Sequence, residues 1–127
     1  MEGPILNVTP GLYEEVERDF FEKIGHPVLT CHGPVEEPCP LLRGEDCSLV
    51  DESHGVLFKL DLDDPRHRAI LRRYQALLRP GTPIRVQARP GQASRYAETL
   101  AGVEVWDHEP TIGELDGFAA EIEAADS

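Results

Sequence analysis

The sequence predicts an α/β protein, a doubly wound three-layer sandwich in which helices cover both faces of a parallel β-sheet. Short aliphatic runs alternate with segments of helical periodicity, the order expected of parallel strands joined by crossover helices. Residues 55–60 form a mostly apolar run, as in a strand buried on both faces. Asp61, Asp63 and Asp64 follow that run, and Pro65 closes it. Charged groups therefore stand at the carboxyl end of a strand, where open α/β sheets place their sites.

The first half of the chain predicts two strands around one helix, followed by a long connection. Residues 4–8 are a short apolar strand, and a helix follows over 11–24 because its apolar residues fall at helical spacing. The inward positions are Leu12, Tyr13, Val16, Phe20 and Ile24. Gly25 ends this helix, and residues 26–31 form an edge strand. Residues 32–54 are an irregular Pro-, Gly- and Cys-containing loop, with one helical turn near 41–42 or 48–51.

The second half predicts three more strands, at residues 55–60, 83–88 and 102–106, each followed by a helix. The first of these helices starts at Asp64–Pro65, the second is short and starts at Pro90–Gly91, and the last starts at a Thr111–Glu114 capping box. The inward residues expected of these helices are Ile70, Tyr74, Leu77 and Leu78, then Ala93, Tyr96, Ala97 and Leu100, then Ile112, Leu115, Phe118, Ala119 and Ile122. Right-handed crossovers favour a five-stranded sheet in the flavodoxin-like order 2-1-3-4-5, in one domain over residues 1–127.

Charge and hydropathy exclude two classes of partner. The net charge of −12 disfavours nucleic acid, whose phosphates would repel the chain. No apolar run approaches the roughly 20 residues of a membrane span, and no basic segment leads into an apolar one at the start, so we expect a cytoplasmic protein without membrane contact. Eight arginines lie in the segment from Arg66 to Arg95, and after it the chain has acidic residues but no lysine or arginine. These are either solvated helix faces or complementary faces for a homodimer or another protein partner.

The three aspartates after the third strand have two interpretations. They could bind a divalent cation or mimic a phosphate site, since carboxylates this close repel one another without a cation. Alternatively Asp64 caps the next helix, Asp63 lies near its positive end, and Arg66 or Arg68 neutralises them.

The loop before that strand carries a second candidate site. Cys31, His32, Cys39 and Cys47 offer the thiolate and imidazole ligands that zinc or iron takes, with His26 or His54 as additional ligands. Redox sensing by two cysteines is a related option. Their spacing differs from the usual C-x₂₋₄-C knuckle, which favours separate, unligated thiols.

Three segments together resemble a response-regulator receiver domain over most of the chain. Asp61-x-x-x-Pro65 has the spacing of the phosphoacceptor motif of that family, and Gly25–His26 followed by residues 28–30 resembles its turn into strand two. Glu109–Pro110 followed by Glu114–Leu115 resembles the segment after strand five.

The departures from the family bear on chemistry. Val8 and Thr9 stand where the family has an acidic pair for Mg²⁺, and Glu109 stands in place of its lysine. The family has a small hydroxyl residue after strand four, and the corresponding position here is Gln87 or Ala88, neither of which is Ser or Thr. The resemblance therefore implies a pseudo-receiver in which a pocket of Asp61, Asp63, Asp64 and Glu109 is vestigial, because phosphoryl transfer needs neutralised phosphoryl oxygens.

From this resemblance we expect a non-enzymatic regulatory domain without a cofactor, acting by protein–protein contact through the last helix, strand five and the fourth helix. The first alternative is a zinc-, iron- or redox-responsive domain using the Cys31–Cys47 loop. The other is a small enzyme or nucleotide-binding domain that uses the aspartates.

Overall fold

In a computed structural model, which describes residues 3–9, 14–31, 40–45 and 47–126, five parallel strands form one sheet. The strands are β1 (Ile5–Val8), β2 (Val28–Cys31), β3 (Gly55–Phe58), β4 (Ile84–Gln87) and β5 (Glu104–Trp106). Their order is β2-β1-β3-β4-β5, so the predicted flavodoxin-like order 2-1-3-4-5 is confirmed. The register pairs Val8 with Cys31 on one side and with Phe58 on the other, which brings the carboxyl ends of three strands to one edge.

Within the described ranges, five α-helices connect and follow these strands: α1 (Glu14–Lys23), α2 (Ser48–Glu52), α3 (Pro65–Leu77), α4 (Gln92–Arg95) and α5 (Ile112–Asp126). Both helical turns considered for the 32–54 loop are present, as a 3₁₀ turn at Pro40–Arg43 and as α2. Residues 32–39 and 46 of that loop lie outside the described residues. Among the described helices, none is both long and apolar enough to cross a membrane.

The sheet separates two apolar clusters. On one face α3 packs with the 3₁₀ turn and α2 against the sheet, through Leu41, Val50, Val56, Phe58, Ile70, Leu71, Tyr74 and Val86. On the other face α1 and α5 pack against Ile5 and Leu57, through Phe21, Leu115, Phe118, Ala119 and Ile122. All four residues of β3 are buried, as the apolar run predicts.

Gly55 sets how closely α5 approaches the central strand. A Cβ atom at this position would lie 2.4 Å from Ile122 Cδ1, which is shorter than any normal contact between carbon atoms. A glycine at the start of β3 therefore lets the last helix pack directly onto the backbone of the strand.

Several predicted inward positions are wrong. Ile24 and Ile112 have 36% and 60% of their surface exposed, because Ile24 follows the end of α1 and Ile112 is the first residue of α5. Phe21, fully buried, replaces Ile24 in the core. The predicted short helix is a single turn, α4, which ends at Arg95, and Ala93 and Ala97 of its predicted apolar face are exposed.

Candidate functional site at the carboxyl edge of the sheet

The loop after β3 brings Asp61 against the start of α4. Asp61 Oδ2 accepts a hydrogen bond from Arg89 Nη1 at 2.9 Å, and Asp61 Oδ1 accepts one from Gln92 Nε2 at 2.7 Å. The backbone N–H of Asp63 also donates to Oδ1, at 3.0 Å. Both carboxylate oxygens of Asp61 are therefore bound by donors of the chain itself, one of them a charged guanidinium.

Gln92 holds this arrangement in place. Its side chain is almost entirely buried, and its Oε1 accepts the backbone N–H of Arg89 at 3.1 Å while its Nε2 donates to Asp61. An amide with both ends bonded in a buried position has one orientation only. The loop after β3 and the loop after β4 are thus joined through one glutamine.

Asp63 makes a second connection to α4. Its Oδ1 accepts hydrogen bonds from the Tyr96 hydroxyl at 2.6 Å and from Arg95 Nη1 at 2.9 Å. The hydrogen bond from Tyr96, and after it the one from Arg95, hold the pKa of the Asp63 carboxyl below its usual value. The Arg68 guanidinium lies 4.6 Å from the centre of the Tyr96 ring and covers it.

Asp64 faces α3 instead, as the structural interpretation of the sequence predicts. It caps the helix by accepting the N–H of Arg66 at 2.9 Å, and it pairs with the guanidinium of Arg66 at 2.8 Å. The bonds from Arg66 lower the pKa of the Asp64 carboxyl to about 2. Arg68, the other predicted neutralising group, donates to the carbonyl of Leu62.

Glu109 contacts a different residue from those that bind the three aspartates. It lines an open cleft of about 250 Å³ between the ends of β3, β4 and β5, together with Lys59, Gln87, Ala88, Arg89, Pro90, Asp107 and His108. Its carboxylate accepts a hydrogen bond from Gln87 Nε2 at 3.3 Å. The predicted four-residue pocket is thus divided: Asp61 and Asp63 bind α4, Asp64 caps α3, and Glu109 pairs with Gln87.

His108, on the rim of the same cleft, connects two carboxylates. Its Nδ1 lies 3.0 Å from Asp107 Oδ1, and its Nε2 lies 2.9 Å from Glu114 Oε2. Glu114 also accepts the N–H of Thr111 at 3.0 Å, which completes the predicted capping box of α5. The hydrogen bonds to Asp107 and Glu114 raise the pKa of His108 above its ordinary 6.5.

A buried ion pair occupies the edge beside β1. Because Val8 pairs with Phe58, Lys59 is the first residue past the strand, and its N–H donates to Val8 O. Its ammonium pairs with Glu17 of α1, and the two side chains are only 13% and 8% exposed. Asn7 Nδ2 approaches the same carboxylate at 3.5 Å. Next to Val8, where the resemblance places the acidic pair of receivers, this chain therefore has the ion pair between Lys59 and Glu17.

Sequence reasoning missed the groups that bind these carboxylates. Arg89 and Gln92 follow β4 as Asp61 follows β3, and adjacent parallel strands end at one edge, so a search past every strand end would have found them. Glu17 gave no such signal, because an acid between the apolar residues of a helix is typical of an exposed face.

The structure provides a partial view of the predicted metal site. Cys31 and Cys47 are partly buried thiols that pack against the α3-side cluster, while His32 and Cys39 lie outside the described residues. Within the described ranges, no three His, Cys, Asp or Glu side chains are grouped so that they could hold a metal ion. The zinc or iron alternative stays a prediction.

Comparison with known proteins gives a consistent result for the fold. No protein-family model and no curated protein matches the sequence. Solved structures do match: a CheY-like response regulator receiver domain protein from Methanospirillum hungatei has a TM-score of 0.68 at 16% identity, over 99% of this chain and 98% of that one. A response regulator protein from Burkholderia multivorans has a TM-score of 0.63 at 19% identity, over 97% and 96% of the two chains.

A third match is NtrX from Brucella abortus, solved in complex with ATP, with a TM-score of 0.68 at 14% identity. The alignment covers 99% of this chain but only 28% of NtrX. The chain therefore has the fold of response-regulator receiver domains, as the resemblance implies, and spans less than a third of that larger protein.

Proposed function

We propose that this chain is a non-catalytic, receiver-like regulatory domain that is not phosphorylated in the usual way and acts through protein–protein contact. The observation that carries the proposal is the state of Asp61, the residue at the phosphoacceptor spacing. Arg89, Gln92 and the N–H of Asp63 occupy both of its oxygens. A carboxylate bound this way is a poor nucleophile, since its lone pairs are held in charge-assisted hydrogen bonds.

The surroundings of Asp61 support the same conclusion. Phosphoryl transfer relies on cations that neutralise the phosphoryl oxygens. Val8 and Thr9 supply no carboxylate for Mg²⁺, and Glu109 brings a negative charge where the family has its lysine. Lys59, which directly follows β3, is already paired with Glu17.

The same contacts argue for a fixed surface rather than a switched one. Asp61 and Asp63 tie the loop after β4 and helix α4 to the loop after β3. A domain whose loops are held without a ligand presents one surface to a partner, with its affinity set in advance. A homodimer through α4, β5 and α5 stays a prediction.

Treatment with acetyl phosphate and Mg²⁺, followed by intact-protein mass spectrometry, tests the proposal. We expect no stable phosphoryl adduct, and no change in the amide NMR spectrum when beryllofluoride and Mg²⁺ are added. A receiver domain that carries the acidic pair and the lysine is the positive control. An adduct that forms on the wild-type chain and is absent from Asp61→Asn would overturn the proposal.

A further inference from the structure

The eight arginines from Arg66 to Arg95 fall into two groups by partner. Arg66, Arg85, Arg89 and Arg95 each form an ion pair with a carboxylate of the chain. Arg68 donates to a backbone carbonyl and stacks on an aromatic ring. These five side chains therefore have internal roles that account for their presence.

The second group belongs to α3 and the turn that follows it. Among the described residues, Arg72 donates to the hydroxyl of Thr99 at 3.3 Å and to no carboxylate, and the buried Nε of Arg73 has no hydrogen-bond partner. Arg79, exposed just past the end of α3, has no carboxylate within ion-pair distance among the described residues. In a chain of net charge −12, these three arginines form no ion pair with a carboxylate in the part of the chain that the structure describes.

Three clefts meet at Arg79. The largest, about 320 Å³, lies toward β4 and β5 and includes Leu78, Ile84 and Val103 in its walls. A cleft of about 250 Å³ lies toward α2, with walls that include Val50, Leu77 and Leu78. A smaller one, about 130 Å³, lies toward the end of α5, with walls that include His54, Pro80 and Ala125. All three contain Arg79. Aliphatic side chains stand beside it in the largest cleft, whereas the other two are more polar, and the one toward α2 also contains Asp51 and Ser53.

We propose that this region, the Arg79 surface, docks a partner protein through an acidic side chain flanked by apolar ones. The carboxylate would pair with the guanidinium of Arg79, and the neighbouring apolar side chains would enter the recesses lined by Leu78 and Ile84. Arginine is one of the side chains enriched at interface hot spots. The inference deepens the proposed function by naming the contact surface and the chemistry of the partner.

Other anionic ligands fit this surface less well. A nucleic acid would have to overcome the net charge of −12, because its affinity depends on neutralising many phosphates. A free phosphate would use the guanidinium and leave the apolar recesses empty. Asp51 lines the cleft toward α2 together with Arg79, yet within the described residues the two form no ion pair.

An NMR titration of the ¹⁵N-labelled chain with a short synthetic peptide of alternating leucine and glutamate tests the inference. We expect shift changes confined to the 50–54, 77–84 and 101–103 segments, and saturation at millimolar peptide or below. Arg79→Glu should weaken binding at least tenfold. Lys23→Glu, the same charge reversal on exposed α1 across the sheet, should leave it unchanged.

No saturable shift changes, equal loss in both variants, or equal binding of a leucine–lysine peptide would overturn the inference. Such a failure is distinguishable from failure of the proposed function, because the phosphodonor experiment reads Asp61 at the opposite edge of the sheet.

Discussion

Arg79 and the cations at the carboxyl edge of the sheet differ in whether they form ion pairs with the chain's own carboxylates. At the carboxyl edge, Arg89 pairs with Asp61 and Arg95 pairs with Asp63. Lys59, directly after β3, pairs with Glu17 of α1. At the other end Arg79 is exposed beside a cleft that includes Leu78, Ile84 and Val103, and it has no carboxylate partner among the described residues. Arg85, at the start of β4, also pairs with carboxylates of the chain, so Arg79 differs from the paired cations of both ends.

This difference separates groups that hold the fold from groups available to a partner. A paired cation fixes two loops relative to each other, and its removal leaves a carboxylate without compensation. An unpaired exposed cation contributes little to the free energy of folding, because water already solvates it. Variants at the two ends should therefore differ in stability even when the chemical change is the same.

The largest effect is expected at Lys59. Lys59→Met should lower the free energy of unfolding by about 3 kcal/mol, because it leaves Glu17 charged and buried without a cation. Chemical denaturation followed by tryptophan fluorescence measures this value, since Trp106 lies in the core.

The matched control removes both charges. Glu17→Leu combined with Lys59→Met should recover stability to within about 1 kcal/mol of the wild type, as expected when apolar side chains replace a whole buried pair. If the single and double variants are equally unstable, the loss comes from packing and the ion pair is not its cause.

A smaller difference in stability is expected between the alanine variants of two arginines, Arg85 and Arg79. Arg85 is 7% exposed, pairs with Glu121 at 2.7 Å and Glu104 at 3.2 Å, and lies 5.5 Å from the Phe118 ring centre. Arg85→Ala should cost about 2 kcal/mol through lost packing and the lost pairs, whose carboxylates return to water. Arg79→Ala should change stability by less than about 0.5 kcal/mol. Equal losses in the two variants would mean that Arg79 has a structural role.

Most of the fold could be predicted because it depends on local signals. The apolar run of β3, the Pro65 helix start and the glycine after α1 each determine one boundary from neighbouring residues alone. The strand order then follows from the handedness of the crossovers. The errors at Ile24 and Ile112 arose where a helix begins or ends, since periodicity gives the face of a helix better than its last turn.

The candidate site could be predicted only in part, because its partners are distant in sequence. Asp64 capping α3 is a local contact, and it was recognised as an alternative. Asp61 binds Gln92, which is 31 positions away, and Lys59 binds Glu17 on another helix. The strand ends in the sequence point to the first pair, because adjacent parallel strands end at one edge, whereas the sequence gives no such signal for Glu17.

His108 should produce the smallest effect, a pH dependence at the carboxyl edge that the Arg79 surface lacks. Its raised pKa means that the folded state holds the proton more tightly than the unfolded chain does. Its stabilising contribution is therefore complete below the ordinary value of 6.5 and is lost as pH rises through the folded pKa. Its contact with Glu114 joins β5 to the start of α5.

Thermal unfolding of wild type and His108→Gln at about pH 6 and about pH 9 measures this contribution. The wild type should have the higher midpoint at the lower pH, and the difference should disappear at the higher pH, because neutral histidine and glutamine are then alike in charge. Arg79→Ala should match the wild type at both values, since an arginine keeps its charge throughout this range. A His108→Gln difference that is constant with pH would mean that hydrogen bonding or packing, and not the proton, stabilises the start of α5.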